Sequence, residues 1–158
     1  MKKNISKILL NILFIILVSC GFKVVKNNNM NNFMIKEFKS SGDGRINYKI
    51  KNNLLMSSSN ESTNIILLKL ISEKKKTIKE KNIKNQITKY NIKINAEISY
   101  TILSENITEK FFLNKNGFFN VSSRHSETLN NEKNLVDLLI NDLSEEIIDN
   151  LSIKLNDL

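Results

Sequence analysis

Apolar and polar side chains alternate without interruption between residues 90 and 102. The apolar positions are Tyr90, Ile92, Ile94, Ala96, Ile98, Tyr100 and Ile102, and the residues between them are Asn91, Lys93, Asn95, Glu97, Ser99 and Thr101. Side chains of a strand point to opposite faces in turn, whereas those of a helix repeat about every 3.6 residues. The pattern therefore excludes a helix and predicts a long strand that buries one face and leaves the other to solvent or a partner.

Three other segments have the composition of strands. They are Phe33–Phe38, Ile65–Ile71 and Glu109–Val121. Polar residues at 104–108 predict a turn that makes the last of these segments the antiparallel partner of residues 90–102, with Asn116-Gly117 marking a bulge or bend. The charged stretch 73–84 is compatible with either a strand end or a loop.

Two segments repeat their apolar residues at helical spacing. The first covers about residues 44–56 and follows Asp43, whose side chain is suited to cap a helix that begins at Gly44. The second covers about residues 132–156, with apolar residues at Val136, Leu139, Ile140, Leu143, Ile147, Leu151 and Leu155. The polar face of this second helix is acidic, which favours packing across a sheet over lying on a membrane surface, where basic residues are usual.

This order of elements predicts an α+β fold, a two-layer sandwich. A mostly antiparallel or mixed sheet of about four strands would carry two helices on one face, with hairpins joining most of the strands. We expect a single domain at residues 33–158, preceded by a polar, asparagine-rich tether at residues 20–32.

Residues 1–19 have the features of a bacterial lipoprotein signal peptide. Three lysines precede a stretch from Ile8 to Val18 that is apolar except for Asn11, and a lipobox that begins at Leu17 ends at Cys20. The stretch is too short for a permanent bilayer-spanning helix, which needs about 20 residues. We expect a mature chain that begins at Cys20, carries N-acyl and S-diacylglyceryl groups there, and needs no other cofactor. The alternative is a short membrane anchor followed by an incidental cysteine.

Charge narrows the class of partner. Removing residues 1–19 takes away three lysines and lowers the formal net charge from +8 to +5. The remaining excess is spread along the chain, with one dense run at Lys74-Lys75-Lys76 that is typical of a solvated loop or strand end. Nucleic acid is a poor partner for an envelope-facing protein, so anionic lipid or lipopolysaccharide is the better anionic ligand. Because the single cysteine would be acylated, no disulfide is expected.

The sequence shows no catalytic set of residues, and we expect no enzyme. His125 is the single histidine, has no cysteine or carboxylate at metal-ligand spacing, and is more typical of a loop or a helix start. The glycines form no phosphate-binding loop, and the serines around His125 form no nucleophile elbow. Neither a metal site nor a catalytic residue is therefore expected.

The lipobox, the tether, the order of elements and the long acidic C-terminal helix together resemble the LptE family of lipopolysaccharide-assembly lipoproteins. Cys20-Gly21-Phe22 matches a start that is common in that family. The segment Ile87–Ile102 resembles the family's long central strand, and the passage from Arg124 through Glu127 is similar to the family's passage into its last helix. The resemblance covers nearly the whole mature chain.

The resemblance implies a lipid-anchored protein of the outer membrane, which faces the periplasm or sits inside a barrel lumen. Gly21 agrees with export to the outer membrane, since lipoproteins retained at the inner membrane of many Gram-negative bacteria carry Asp at that position. The resemblance also implies partnership with the large β-barrel LptD. The lipoprotein would act as plug and assembly factor and would help to deliver lipopolysaccharide to the cell surface. A polar outer surface would suit the polar lumen of such a barrel.

Basic side chains near the predicted hairpin are candidates for pairing with lipopolysaccharide phosphates. They are Lys89, Lys93, Lys110 and Lys115. Alternatively, these lysines only solvate the sheet. Two other functions stay open: an accessory lipoprotein of another envelope assembly, in secretion or pilus biogenesis, and a free-standing lipid-binding lipoprotein with an apolar cavity. The cavity would need apolar residues on both sides of the strands, which the strict alternation argues against.

Overall fold

The structure, a computed structural model, describes residues 33–60 and 62–156. Its elements follow in the order β1 (Met34–Gly42), α1 (Gly44–Ser57), β2 (Ile65–Lys81), β3 (Ile87–Ile102), β4 (Ile107–Asn120) and α2 (His125–Asn156). The predicted signal peptide, the predicted tether and the lipid-attachment residue Cys20 lie outside the described residues.

The four strands form one open, mixed sheet in the order β1-β2-β3-β4. β1 lies parallel to β2, so that α1 serves as the crossover that parallel neighbours require. The β2–β3 and β3–β4 pairs are antiparallel. The fold is therefore α+β, as the sequence predicts.

A single hydrophobic core lies between the sheet and the two helices. In β3, every second residue from Ile92 to Ile102 is buried, which confirms the strand predicted from the alternation. The seven apolar residues predicted to form the buried face of the last helix are all buried, each at most 4% exposed. α1 contributes Ile46, Ile50 and Leu54. Both helices thus cover one face of the sheet, and the other face has no covering layer among the described residues.

β1 and α1 are separated by a single residue. Gly42 closes β1 with a φ of 95°, and a Cβ atom built there would lie 1.9 Å from the Ser72 carbonyl oxygen. The Asp43 carboxylate then accepts hydrogen bonds of 3.1 Å from the backbone N–H groups of Arg45 and Ile46. The predicted cap and helix are confirmed. β1 continues to Gly42, beyond the predicted strand Phe33–Phe38.

The charged stretch after Ile71 continues as strand, which settles the choice between strand end and loop. β2 runs on to Lys81 and pairs with β3 along that length. β1 pairs with β2 only as far as Ser72. Beyond Ser72, the sheet therefore consists of only three strands, β2, β3 and β4.

The predicted bulge or bend at Asn116-Gly117 is wrong. The register of β3 with β4 is continuous through both residues. A Cβ atom on Gly117 would lie 2.7 Å from Cδ1 of Leu135, so the glycine brings α2 close to the sheet instead. The last helix also begins earlier than predicted, because His125 is its first residue.

Candidate functional site

The alternation of the strands divides the four candidate lysines between two faces. Residues of β3 with odd numbers and residues of β4 with even numbers point away from the helices. Lys89, Lys93 and Lys110 therefore lie on the uncovered face, which we call the open face. Lys115 points to the helix side of the sheet and is separated from the other three.

Two of the open-face lysines lie beside exposed aromatic rings. The Nζ atom of Lys89 is 5.4 Å from the ring centre of Phe118, and that of Lys110 is 5.7 Å from the ring centre of Phe112. Both rings are more than 60% exposed. Lys89 also forms a 2.8 Å ion pair with Glu80 and thereby holds the pKa of that carboxyl below its ordinary value, chiefly through the hydrogen bond it donates.

The third candidate on the open face, Lys93, lies in a row with one other lysine. Its neighbours across the sheet are Lys75 on β2 and Asn116 on β4. In the described part of the chain, Lys93 has no acidic side chain within ion-pair distance. Lys75 pairs with Glu73 along its own strand at 3.3 Å, and both side chains are more than half exposed. Screening by water makes such a pair weak, so this row keeps a positive potential.

A second basic row crosses all four strands of the open face. Lys39 pairs with Lys69, Lys69 with Ser99, and Ser99 with Lys110. In the next row, Glu97 of β3 lies between the apolar residues Ile71 and Phe112. These two side chains line a shallow depression of about 330 Å³. The open face thus combines cationic rows with a partly apolar one, a surface that suits an amphipathic anion or a polar protein surface.

Lys115 connects the sheet to α2. Its ammonium group forms a 2.6 Å ion pair with Glu146 of α2. The hydrogen bond to that carboxylate raises the pKa of Lys115, and partial burial opposes the rise. The residue links β4 to α2 and is not part of the open face.

The described residues contain no group of three or more His, Cys, Asp or Glu side chains placed to hold a metal ion. His125 is the first residue of α2, and a helix start is one of the two positions predicted for it. Within the same residues, neither helix has both the length and the apolar composition needed to cross a membrane. The open face presents lysines, amides, exposed aromatic rings and the carboxylates of Glu73 and Glu97.

Solved structures with this arrangement of strands and helices are found among bacterial lipoproteins. A proposed lipoprotein from Caulobacter crescentus CB15 superposes with a TM-score of 0.55 and 8% identity, over 81% of this chain and 93% of that one. The uncharacterized lipoprotein B from Nitrosomonas europaea superposes with a TM-score of 0.53 and 10% identity, over 79% of this chain and 88% of that one. The chain shares the fold of these two proteins.

The rare lipoprotein B from Shewanella oneidensis matches at a TM-score of 0.49 and 11% identity, over 77% of this chain and 94% of that one. No family model and no curated protein matches the sequence. At such low identities the likeness lies in the fold, and the functional residues of this chain have to be argued from its own surface.

Three lysines of the open face were missed by the sequence analysis. Lys39, Lys69 and Lys75 join the candidates only through the register of β1 and β2 with β3. The alternation at residues 65–71 is obscured because Ile65, Leu67 and Ile71 are apolar although they point away from the helices. The signal that could have revealed them is the odd-numbered spacing Lys69, Glu73, Lys75 along β2.

Proposed function

We propose that the chain is a non-enzymatic lipoprotein of the outer membrane, held by lipid on Cys20, that partners an LptD-type β-barrel. It would act there as plug and assembly factor for lipopolysaccharide transport and insertion at the cell surface. Support comes from the lipobox, from the resemblance to the LptE family, and from a fold shared with proteins that are named lipoproteins.

The open face is the observation that carries the proposal. A two-layer domain that covers one face of its sheet and leaves the other polar has a broad surface for a second protein. Lysines, amides, Ser99 and Thr101 dominate this face. Such a surface suits the polar lumen of a barrel better than the apolar interior of a bilayer.

The lipopolysaccharide part of the proposal rests on three of the four candidate lysines. Lys89, Lys93 and Lys110 share the open face with Phe112 and Phe118. Ammonium groups would pair with phosphates, and the exposed rings would contact the lipid portion. Lys115 already satisfies its charge with Glu146 and faces the other way.

The first experiment is co-purification from native membranes in mild detergent, with a C-terminal tag and identification of partners by mass spectrometry. We expect a large outer-membrane β-barrel of the lipopolysaccharide-export type in stoichiometric amount. Recovery of a secretion or pilus apparatus in its place would overturn the barrel partnership and favour the accessory-lipoprotein alternative.

Charge-reversal variants locate the contact surface. Lys69→Glu with Lys93→Glu changes the open face, and we expect it to reduce recovery of the barrel. Lys51→Glu with Lys133→Glu makes the same change of charge on exposed positions of the two helices and is the matched control. Equal loss in both pairs would show that overall charge, and not the open face, decides the association.

Binding of purified protein to lipopolysaccharide tests the lysines separately. We expect Lys93→Gln and Lys110→Gln to weaken binding several-fold each, because each removes one charge-assisted contact. Lys115→Gln should leave binding unchanged. If Lys115→Gln weakened binding and Lys93→Gln and Lys110→Gln did not, the assignment of the binding lysines would be wrong.

A further inference from the structure

The β2–β3 hairpin ends in a turn at the end of the domain opposite the beginning of β1 and the end of α2. Met34, where β1 begins, pairs with Ile65 at the start of β2, and the side chain of Asn64 donates to the Leu155 carbonyl near the end of α2. β2 has 17 residues. At about 3.3 Å per residue the hairpin turn lies roughly 55 Å from this end.

Hydrogen bonds of Asn82 hold the turn in one conformation. Its side-chain oxygen accepts from the backbone N–H groups of Lys84 and Gln86, both at 3.0 Å. Its backbone N–H donates to the Gln86 carbonyl at 2.9 Å, and Asn85 takes a positive φ of 60°. Ile83 lies within this turn, which therefore holds its backbone in a defined position.

Residues 79–86, which we call the hairpin tip, combine a fully exposed apolar side chain with positive charge. Ile83 is 103% exposed. Lys79, Lys81 and Lys84 lie within four residues of it in the chain and are all exposed, and Lys81 donates a 2.9 Å hydrogen bond to the side-chain oxygen of Asn85. The one acidic residue of the tip, Glu80, is already paired with Lys89 at 2.8 Å.

The charge of this region stands out from the rest of the chain. Residues 74–84 contain six lysines and a single glutamate. α2, in contrast, contains seven acidic residues and two lysines. The densest positive charge therefore lies along the second half of β2 and in the hairpin turn, where a cation-rich tip would meet an anionic surface first.

We infer that the hairpin tip docks on an anionic phospholipid surface, with Ile83 entering the headgroup layer and the three lysines pairing with lipid phosphates. Lysines near an anionic leaflet and an apolar side chain at the headgroup boundary act together in such contacts. The tip lies at the end of the domain opposite the one where Met34 and Leu155 meet the start of β2, so the docking surface lies at the tip end. The inference goes beyond the barrel partnership and does not require it.

A vesicle-capture experiment tests the inference. The full chain with a C-terminal hexahistidine tag is held on phosphatidylcholine vesicles that contain a nickel-chelating lipid. The tag follows α2, which ends at the end of the domain opposite the tip. Fluorescent vesicles are then added, made either of phosphatidylcholine alone or of phosphatidylcholine with phosphatidylglycerol. We expect capture of the anionic vesicles and at least about tenfold less capture of the neutral ones.

Two variants and two matched controls assign the effect to the tip. Ile83→Ser and the triple change Lys79→Gln, Lys81→Gln, Lys84→Gln should each lower capture several-fold. Met56→Ser removes another apolar side chain, 86% exposed at the opposite end. The triple change Lys36→Gln, Lys39→Gln, Lys51→Gln removes the same charge from β1 and α1. Both controls should capture like the unchanged chain.

Three outcomes would overturn the inference. They are equal capture of neutral and anionic vesicles, loss of capture in the controls to the same extent as in the tip variants, and binding to lipopolysaccharide aggregates without any capture of phosphatidylglycerol vesicles. Circular dichroism of each variant checks that the fold is retained, which we expect because Ile83 and the three lysines are exposed.

Discussion

The hydroxyl group of Tyr100 donates a 2.7 Å hydrogen bond to the carboxylate of Glu109, its partner across the β3–β4 pair. Tyr100 is 1% exposed and packs its ring edge against Phe111 at 6.3 Å between ring centres. Lys154 of α2 reaches the same carboxylate at 2.9 Å. A buried ring, a strand and a helix end are thus joined at one carboxyl group.

Tyr100→Phe should destabilise the domain by about 1 kcal/mol, because it removes the hydrogen bond and keeps the buried ring. Urea unfolding of the purified protein measures the change. Tyr48→Phe is the matched control, since Tyr48 is 66% exposed, and it should change the free energy of unfolding by less than about 0.5 kcal/mol. Equal effects of the two changes would contradict a stabilising role for the Tyr100 hydroxyl.

Glu109 gives the stability of the domain a pH dependence on the acidic side. Hydrogen bonds from Lys154, and then from Tyr100, hold the pKa of Glu109 below its ordinary value of 4.5. A carboxyl whose pKa is lowered by folding contributes stability above its unfolded-state pKa and loses it as the pH falls through the folded-state value. The difference in unfolding free energy between the unchanged protein and Glu109→Gln should therefore be full at pH 7 and vanish at strongly acidic pH.

Unfolding curves across that pH range test the expectation. Glu105→Gln, in the exposed turn between β3 and β4, gives the background for removing one acidic group nearby. A Glu109→Gln difference that stays constant down to pH 2 would show that the carboxylate does not stabilise the fold through its charge.

The three glycines within the described residues should respond to alanine in a fixed order. Gly42→Ala should destabilise most, by at least about 3 kcal/mol, because the Cβ atom meets the Ser72 carbonyl oxygen and the φ is positive. Gly117→Ala should cost about 1 kcal/mol, since its Cβ meets the end of the Leu135 side chain, which can rotate away. Gly44→Ala has open space and should be neutral or slightly stabilising. Thermal unfolding of the three variants gives the order, and a Gly44 effect equal to that of Gly42 would contradict it.

Lys76 should stabilise the domain although its neighbour Lys75 does not. Lys76 pairs with Glu132 of α2 at 2.5 Å, and its Nζ atom lies 4.3 Å from the ring centre of Tyr90 and 5.1 Å from that of Phe119. We expect Lys76→Met to lower the free energy of unfolding by about 1–2 kcal/mol. Lys75→Met, on the open face, should have little effect. The two melting temperatures would be indistinguishable if the helix-side contacts of Lys76 contributed nothing.

The period-two pattern of β3 and the helical spacing of α2 could be predicted because each buried face is continuous in the sequence. The face of Lys115 could not be predicted in the same way, since the adjacent pairs Phe111-Phe112 and Phe118-Phe119 place an aromatic ring on both sides of β4. The role of Gly117 depends on Leu135, which lies in another element. The open-face rows likewise depend on pairing between strands, which spacing within one strand does not reveal.

Because the sheet narrows to three strands beyond Ser72, we expect two zones of different dynamics in the molecule. Opening the four-stranded part of the sheet separates β1 from β2. It exposes core residues such as Phe33 and Leu70, which are 0% exposed in the folded state. Opening the hairpin breaks chiefly the β2–β3 hydrogen bonds around exposed side chains. Amide hydrogens should accordingly exchange in two groups, with slow exchange in the four-stranded part of the sheet and faster exchange toward Lys81. The hairpin can then adjust to whatever it meets while the core keeps its shape.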